Sequence, residues 1–101
     1  MTVHFNNNGA FECQFSVQWD GGETSRSSMV GMGNPNGGTD ISMPGNGNPP
    51  DGTSCFARAY IVDGPNHDSR DAFIYHADAA TVTYSVSGTT YTSSFDCDGC
   101  Q

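Results

Sequence analysis

The sequence has no leucine and no lysine, only two glutamates, Glu12 and Glu23, and a single tryptophan, Trp19. Leucine, lysine and glutamate are strong helix formers, so their scarcity argues against helices. Valine, threonine, serine, phenylalanine, tyrosine and glycine take their place, and these favour strands and tight turns. Positive charge is also scarce. Arg26, Arg58 and Arg70 stand against 11 acidic residues, which leaves a net charge of −8. Nothing here can neutralise a row of phosphates, which argues against nucleic acid as a partner. Attachment to anionic lipid is disfavoured for the same reason. A cationic or uncharged ligand suits the charge better, and the acidic surface also favours solubility. No run of about 18 apolar residues is present, so no transmembrane helix is expected. A signal-peptide pattern is absent from the sequence too.

The length of 101 residues fits one domain over 1–101 with a single modest core. Four cysteines, Cys13, Cys55, Cys97 and Cys100, form an even set in a small, loop-rich chain. That points to disulfides, an oxidising compartment and hence a secreted, extracellular protein. Three pairings are open. The favoured one joins Cys13 to Cys55 across two strands and closes a local Cys97–Cys100 link. A zinc site built from all four is the rival, but Cys97-Asp98-Gly99-Cys100 is the only close pair, and structural zinc sites usually show two.

The clearest strand is 11-FECQFSVQW-19, with Phe11, Cys13, Phe15, Val17 and Trp19 on one face and polar residues on the other. Further strands are expected over 2–5, 24–32, 40–44, 55–62, 72–76, 81–87 and 89–95. The stretches 33–40 and 45–54 are almost all turn formers and should run over the surface. Between 55–62 and 72–76 the polar stretch 63-DGPNHDSRDAF-73 reads as a loop. Phe11, Phe15, Phe56, Tyr60, Phe73 and Tyr84 fall at strand spacing and are expected in the core. Arg58 lies mid-strand and is expected to pair with a carboxylate, because a lone buried charge is costly. Six to eight short strands separated by turns make an all-β, antiparallel β-sandwich.

Three segments, GAFECQFSVQWDG at 9–21, DISMPGN at 40–46 and VTYSVSGTTYTSS at 82–94, follow one another in this order. Together they resemble the C-terminal membrane-recognition domain of the cholesterol-dependent cytolysins. The resemblance implies an immunoglobulin-like sandwich that meets its target through loops at one tip, with a sterol or lipid membrane or a glycan as partner. The family's Trp-rich loop follows the strand that matches CFARAYIV; here DGPNHDSRDAF stands in its place. The family's Thr-Leu cholesterol pair falls at the positions of Thr90 and Tyr91, so half of that pair is replaced here. The pore-forming domains have no counterpart in this sequence.

On that frame the loop at 63–73 and the turn after Gly88 share one end. They gather Asp63, Asn66, His67, Asp68, Arg70, Asp71, Thr89, Thr90 and Tyr91 as candidate ligand-binding residues. Carboxylates and amides make paired hydrogen bonds with neighbouring sugar hydroxyls. An aromatic ring such as Tyr91 can cover the apolar face of a pyranose. The expected function is therefore a non-catalytic, lectin-like module that binds a glycan or other cell-surface ligand. The alternative is a membrane- or lipid-binding cytolysin-like module, or one subunit of a two-part toxin or effector. No cofactor is expected. Asp63, Asn66, Asp68 and Asp71 offer oxygen donors for Ca2+, but their spacing does not match an EF-hand loop. No nucleophile-elbow pattern accompanies the Ser, His and Asp residues, so an enzyme is not expected.

Overall fold

The alternation along 11–19 is realised in space: Phe11, Cys13, Phe15, Val17 and Trp19 are all buried. In the computed structural model, which describes residues 1–100, they belong to an all-β fold without helices among those residues. Eight strands form: β1 (Thr2–Asn7), β2 (Cys13–Trp19), β3 (Gly22–Glu23), β4 (Thr39–Ser42), β5 (Ser54–Ile61), β6 (Asn66–Ile74), β7 (Val82–Gly88) and β8 (Ser93–Asp98). They build two four-stranded sheets, ordered β4-β1-β7-β8 and β3-β2-β5-β6. The layer architecture is the expected β-sandwich of two sheets. One pair departs from the antiparallel expectation: β1 and β7 run parallel. A parallel pair needs a crossover between its strands, and here the chain passes through the opposite sheet in between.

The core sits between the sheets and is largely aromatic. Phe5 of β1 stacks on Phe15 of β2 with ring centroids 4.6 Å apart. Tyr84 of β7 lies 6.0 Å from Phe5, 6.2 Å from Phe73 and 5.9 Å from Phe95. Its hydroxyl donates to the Asp71 carbonyl at 2.9 Å, so this large buried side chain keeps its polar end satisfied. Asn7, fully buried at the end of β1, ties the two sheets together. Its amide donates to the carbonyls of Phe11 (2.6 Å) and Val30 (3.2 Å), and its oxygen accepts from the Gly9 N–H (2.9 Å).

The last strand starts at Ser93, after a turn over 89–92, rather than running over 89–95, and four further sequence expectations change. First, 24–32 is not a regular strand. It runs beside β2, but Thr24 and Ser27 use their side chains as well as their backbones. The Ser27 and Thr24 hydroxyls accept from the N–H groups of Phe15 (2.9 Å) and Val17 (3.0 Å). Their own N–H groups donate to the carbonyls of the same two residues. Short hydroxylated side chains compete with a backbone ladder in this way. Second, 63–73 is not a loop. Asp63 takes a left-handed conformation (φ 59°) and the Gly64 N–H donates to the Ile61 carbonyl at 3.1 Å, closing a tight hairpin. The polar residues from Asn66 onward then form an edge strand, whose open side tolerates them. Third, Phe56 and Tyr60 lie on the outer face of their sheet, half-buried. The inward positions of β5 are Cys55, Ala57, Ala59 and Ile61.

Fourth, Cys13 and Cys55 are not bonded to each other; both are buried thiols. Cys13 pairs with Ile61 and Cys55 with Trp19, six positions apart along β2. At about 3.4 Å per residue that is roughly 20 Å, far beyond the ~7 Å Cα limit of a disulfide. The same separation rules out a zinc site made from all four cysteines. The local Cys97–Cys100 disulfide is present, with its Cα atoms 5.8 Å apart.

Candidate functional site

One end of the sandwich is built from two turns. The hairpin turn between β5 and β6 meets the 89–92 turn between β7 and β8. A side chain at Gly64 would run into Thr90, so the close approach of the turns needs glycine there. The Tyr91 hydroxyl donates to the Asp63 carbonyl at 3.2 Å, and the Tyr91 ring is 75% exposed. The 89–92 turn is closed by the Thr89 N–H donating to the Thr92 carbonyl (2.8 Å) and the Thr92 N–H donating to the Thr89 hydroxyl (3.2 Å). Asp63, Thr89, Thr90 and Tyr91 therefore do share one tip.

The rest of the candidate set leaves the tip along β6. This strand and β8 are edges of opposite sheets, and they approach each other down one side of the molecule. Between them lies a groove of about 260 Å³ lined by His67, Asp68, Arg70, Ser93, Ser94 and Phe95. The His67 and Phe95 rings stack at 6.0 Å with planes 25° apart. Asp68 accepts two hydrogen bonds from the Arg58 guanidinium, at 2.6 and 3.1 Å. That is the carboxylate partner expected for Arg58, and its hydrogen bonds strengthen the guanidinium's hold on its proton. Arg70 is exposed and has no ion-pair partner among the described residues.

Two candidates do not join either group. Asn66 opens β6 opposite Tyr60 and is exposed. Asp71 has an exposed side chain, and its contribution to the fold is its carbonyl, which accepts from Ser69 and Tyr84. The oxygen donors are thus dispersed, Asp63 in the hairpin turn and Asn66, Asp68 and Asp71 along the extended β6. Among the described residues no group of three or more His, Cys, Asp or Glu side chains could hold a metal ion.

The sequence reading missed Ser93, Ser94 and Phe95 as groove residues. A usable signal was alternation in 93–98, which turns Phe95 and Cys97 inward and Ser94, Asp96 and Asp98 outward. It also missed a polar cluster on the outer face of the β3-β2-β5-β6 sheet. There the Gln18 amide donates to Ser16 Oγ (2.7 Å) and to the Glu23 carboxylate (2.7 Å). The Tyr60 hydroxyl donates to the same carboxylate (3.2 Å), and Arg26 lies 3.8 Å over the Tyr60 ring. Hydrogen bonds from Gln18 and then Tyr60 hold the Glu23 carboxyl below its ordinary pKa. These groups satisfy one another, whereas the groove leaves Arg70 and the Ser94 side chain open to a ligand. No family model, no curated protein and no solved structure matches this chain.

Proposed function

We propose that the chain is a non-catalytic recognition module that binds a carbohydrate along the edge formed by β6, β8 and the 89–92 turn. The observation that carries this reading is the β6–β8 groove. It combines aromatic surface, from Phe95 and His67, with hydrogen-bonding groups of both kinds: the Asp68 carboxylate, the Arg70 guanidinium and the Ser93 and Ser94 hydroxyls. A sugar ring presents the same combination, an apolar face and a rim of hydroxyls that both donate and accept. Tyr91, exposed at the tip, adds a second ring surface beyond the end of the groove. The Cys97–Cys100 disulfide supports work in an oxidising, extracellular setting.

The test is a glycan array with purified protein, run with calcium and with chelator. Selective binding in both conditions is expected. Ser94→Trp, which fills the groove, and Tyr91→Ala should abolish it while the far-UV spectrum and melting temperature stay at parental values. Unchanged binding by both variants would refute the site. Sedimentation with sterol-containing liposomes, in the absence of any glycan signal, would replace this reading with the lipid-binding one that the cytolysin likeness implies.

A further inference from the structure

Three Asn-Gly pairs occur in the chain: Asn8-Gly9, Asn36-Gly37 and Asn46-Gly47. Such a pair carries its own chemistry. The glycine backbone nitrogen can attack the side-chain carbonyl carbon of the asparagine before it. Glycine, lacking a side chain, neither shields that nitrogen nor restricts the backbone rotation the attack needs. The fold treats the three pairs differently. The Gly9 N–H donates to the Asn7 side-chain oxygen at 2.9 Å, Gly9 is buried, and the Asn8 N–H is bonded to the Val86 carbonyl at 2.8 Å. The Gly37 N–H donates to the Asn34 carbonyl at 3.2 Å and closes a turn. The Gly47 N–H has no hydrogen-bond partner among the described residues, and Asn46, Gly47 and Asn48 are all exposed.

Two further features favour the third pair. The Asn46 side-chain oxygen accepts from the Asn48 N–H at 3.1 Å. Negative charge gathers on that oxygen when the Gly47 nitrogen attacks, and a backbone donor already aimed at it stabilises the charge. The surrounding backbone is also free to turn. The Met43 and Gly52 N–H groups are tied to the carbonyls of Met1 and Tyr75. Between them, the Asn48 N–H is the one backbone donor in a hydrogen bond among the described residues. We propose that Asn46-Gly47 is a self-modification site, at which the chain changes its own charge in one direction with time. The Gly47 nitrogen gives its proton to hydroxide and forms a bond to Cγ of Asn46. The Cγ–Nδ2 bond breaks, and the leaving nitrogen takes a proton from water and departs as ammonia. The succinimide ring so closed is opened by water at either carbonyl, and the ring nitrogen recovers its proton. One opening leaves aspartate. The other leaves isoaspartate, whose backbone runs through the former side chain and is one carbon longer. Both products carry one more negative charge than the −8 of the parent. The site lies apart from the β6–β8 groove and does not depend on the reading given to it.

The test is incubation of the full chain at pH 8.5 and 37 °C, followed by anion exchange and by peptide mapping with mass detection. Asn46 should be the converted residue in the first acidic species. Asn36 should convert at least about fivefold more slowly, the rate equivalent of breaking one amide hydrogen bond of ordinary net strength. Asn8 should stay intact. In urea the three pairs should convert at similar rates, because the hydrogen bonds that separate them are gone. Asn46→Gln, at an exposed position, should remove the first acidic species and leave the melting temperature unchanged. Asn36 or Asn8 converting as fast as Asn46 in native protein would overturn the proposal. So would an unchanged ranking in urea, since flanking sequence and not the fold would then select the site.

Discussion

Removing the Asn7 side chain should destabilise this domain more than its size suggests. In Asn7→Ala the Val30 carbonyl keeps a bond from the Cys13 N–H, and the Gly31 carbonyl keeps one from the Asn34 N–H. The Phe11 carbonyl and the Gly9 N–H lose their Asn7 partner at a buried position. Each orphaned group costs about 1–3 kcal/mol, so the loss from the two should be about 2–6 kcal/mol. For a domain of this length that lowers the melting temperature by roughly 10–50 °C. Asn7→Asp keeps the acceptor for Gly9 but turns a carboxyl toward carbonyl oxygens. Burial among acceptors raises a carboxyl pKa above its unfolded value of about 3.9. The folded state then holds the proton longer than the unfolded one. The added destabilisation should be absent below about pH 4 and grow as the pH rises through that value. Urea unfolding of both variants against the parent, at pH 3.5 and pH 7, reads this directly. A loss below about 1 kcal/mol for Asn7→Ala, or an Asn7→Asp deficit that ignores pH, would refute the reasoning.

Two further outcomes are expected. Burial raises the Cys13 thiol to about 12 and the Cys55 thiol to about 11, and both side chains are inaccessible. A maleimide should therefore label neither in native protein at pH 7, label two sites after unfolding, and label four only after reduction, as counted by mass; a second disulfide in the unreduced protein would contradict the fold. Burial also pushes the Tyr84 hydroxyl up to about 12. Tyr84 thus contributes stability that is complete below pH 10 and is lost as the pH rises toward 12. The urea midpoint should fall steeply across that window in the parent and less steeply in Tyr84→Phe; equal slopes would show that Tyr84 is not the group responsible.

The alternation in 11–19, 55–62 and 81–87 was enough to place three central strands, because a half-buried strand writes its inner face into every second residue. Phe56 and Tyr60 defeated that logic. They alternate with alanines, and the small residues, not the large ones, point inward where Phe15 and Tyr84 already fill the core. The stretch 63–73 misled for a related reason. An edge strand with an open side has no apolar face to display, so its composition is that of a loop. The site was legible in part: Asp63 and Tyr91 do meet, since adjacent hairpin turns at one end are a consequence of strand order. The groove was not, because it depends on two edge strands from different sheets, a proximity that no local pattern encodes. The Cys13–Cys55 pairing failed on register, which parity of cysteines cannot supply.

The irregular run beside β2 has a consequence for behaviour in concentrated solution. A regular edge offers a row of alternating donors and acceptors on which another chain can be laid down. Here Thr24 and Ser27 fasten the border with hydroxyls as well as backbone groups, and only Val30 makes a true bridge. The exposed flank of that border lacks the repeating spacing that a growing fibril needs. A domain with little helical propensity and strands throughout is thereby given a selvedge along this one border, leaving β6 as the open edge of the sheet.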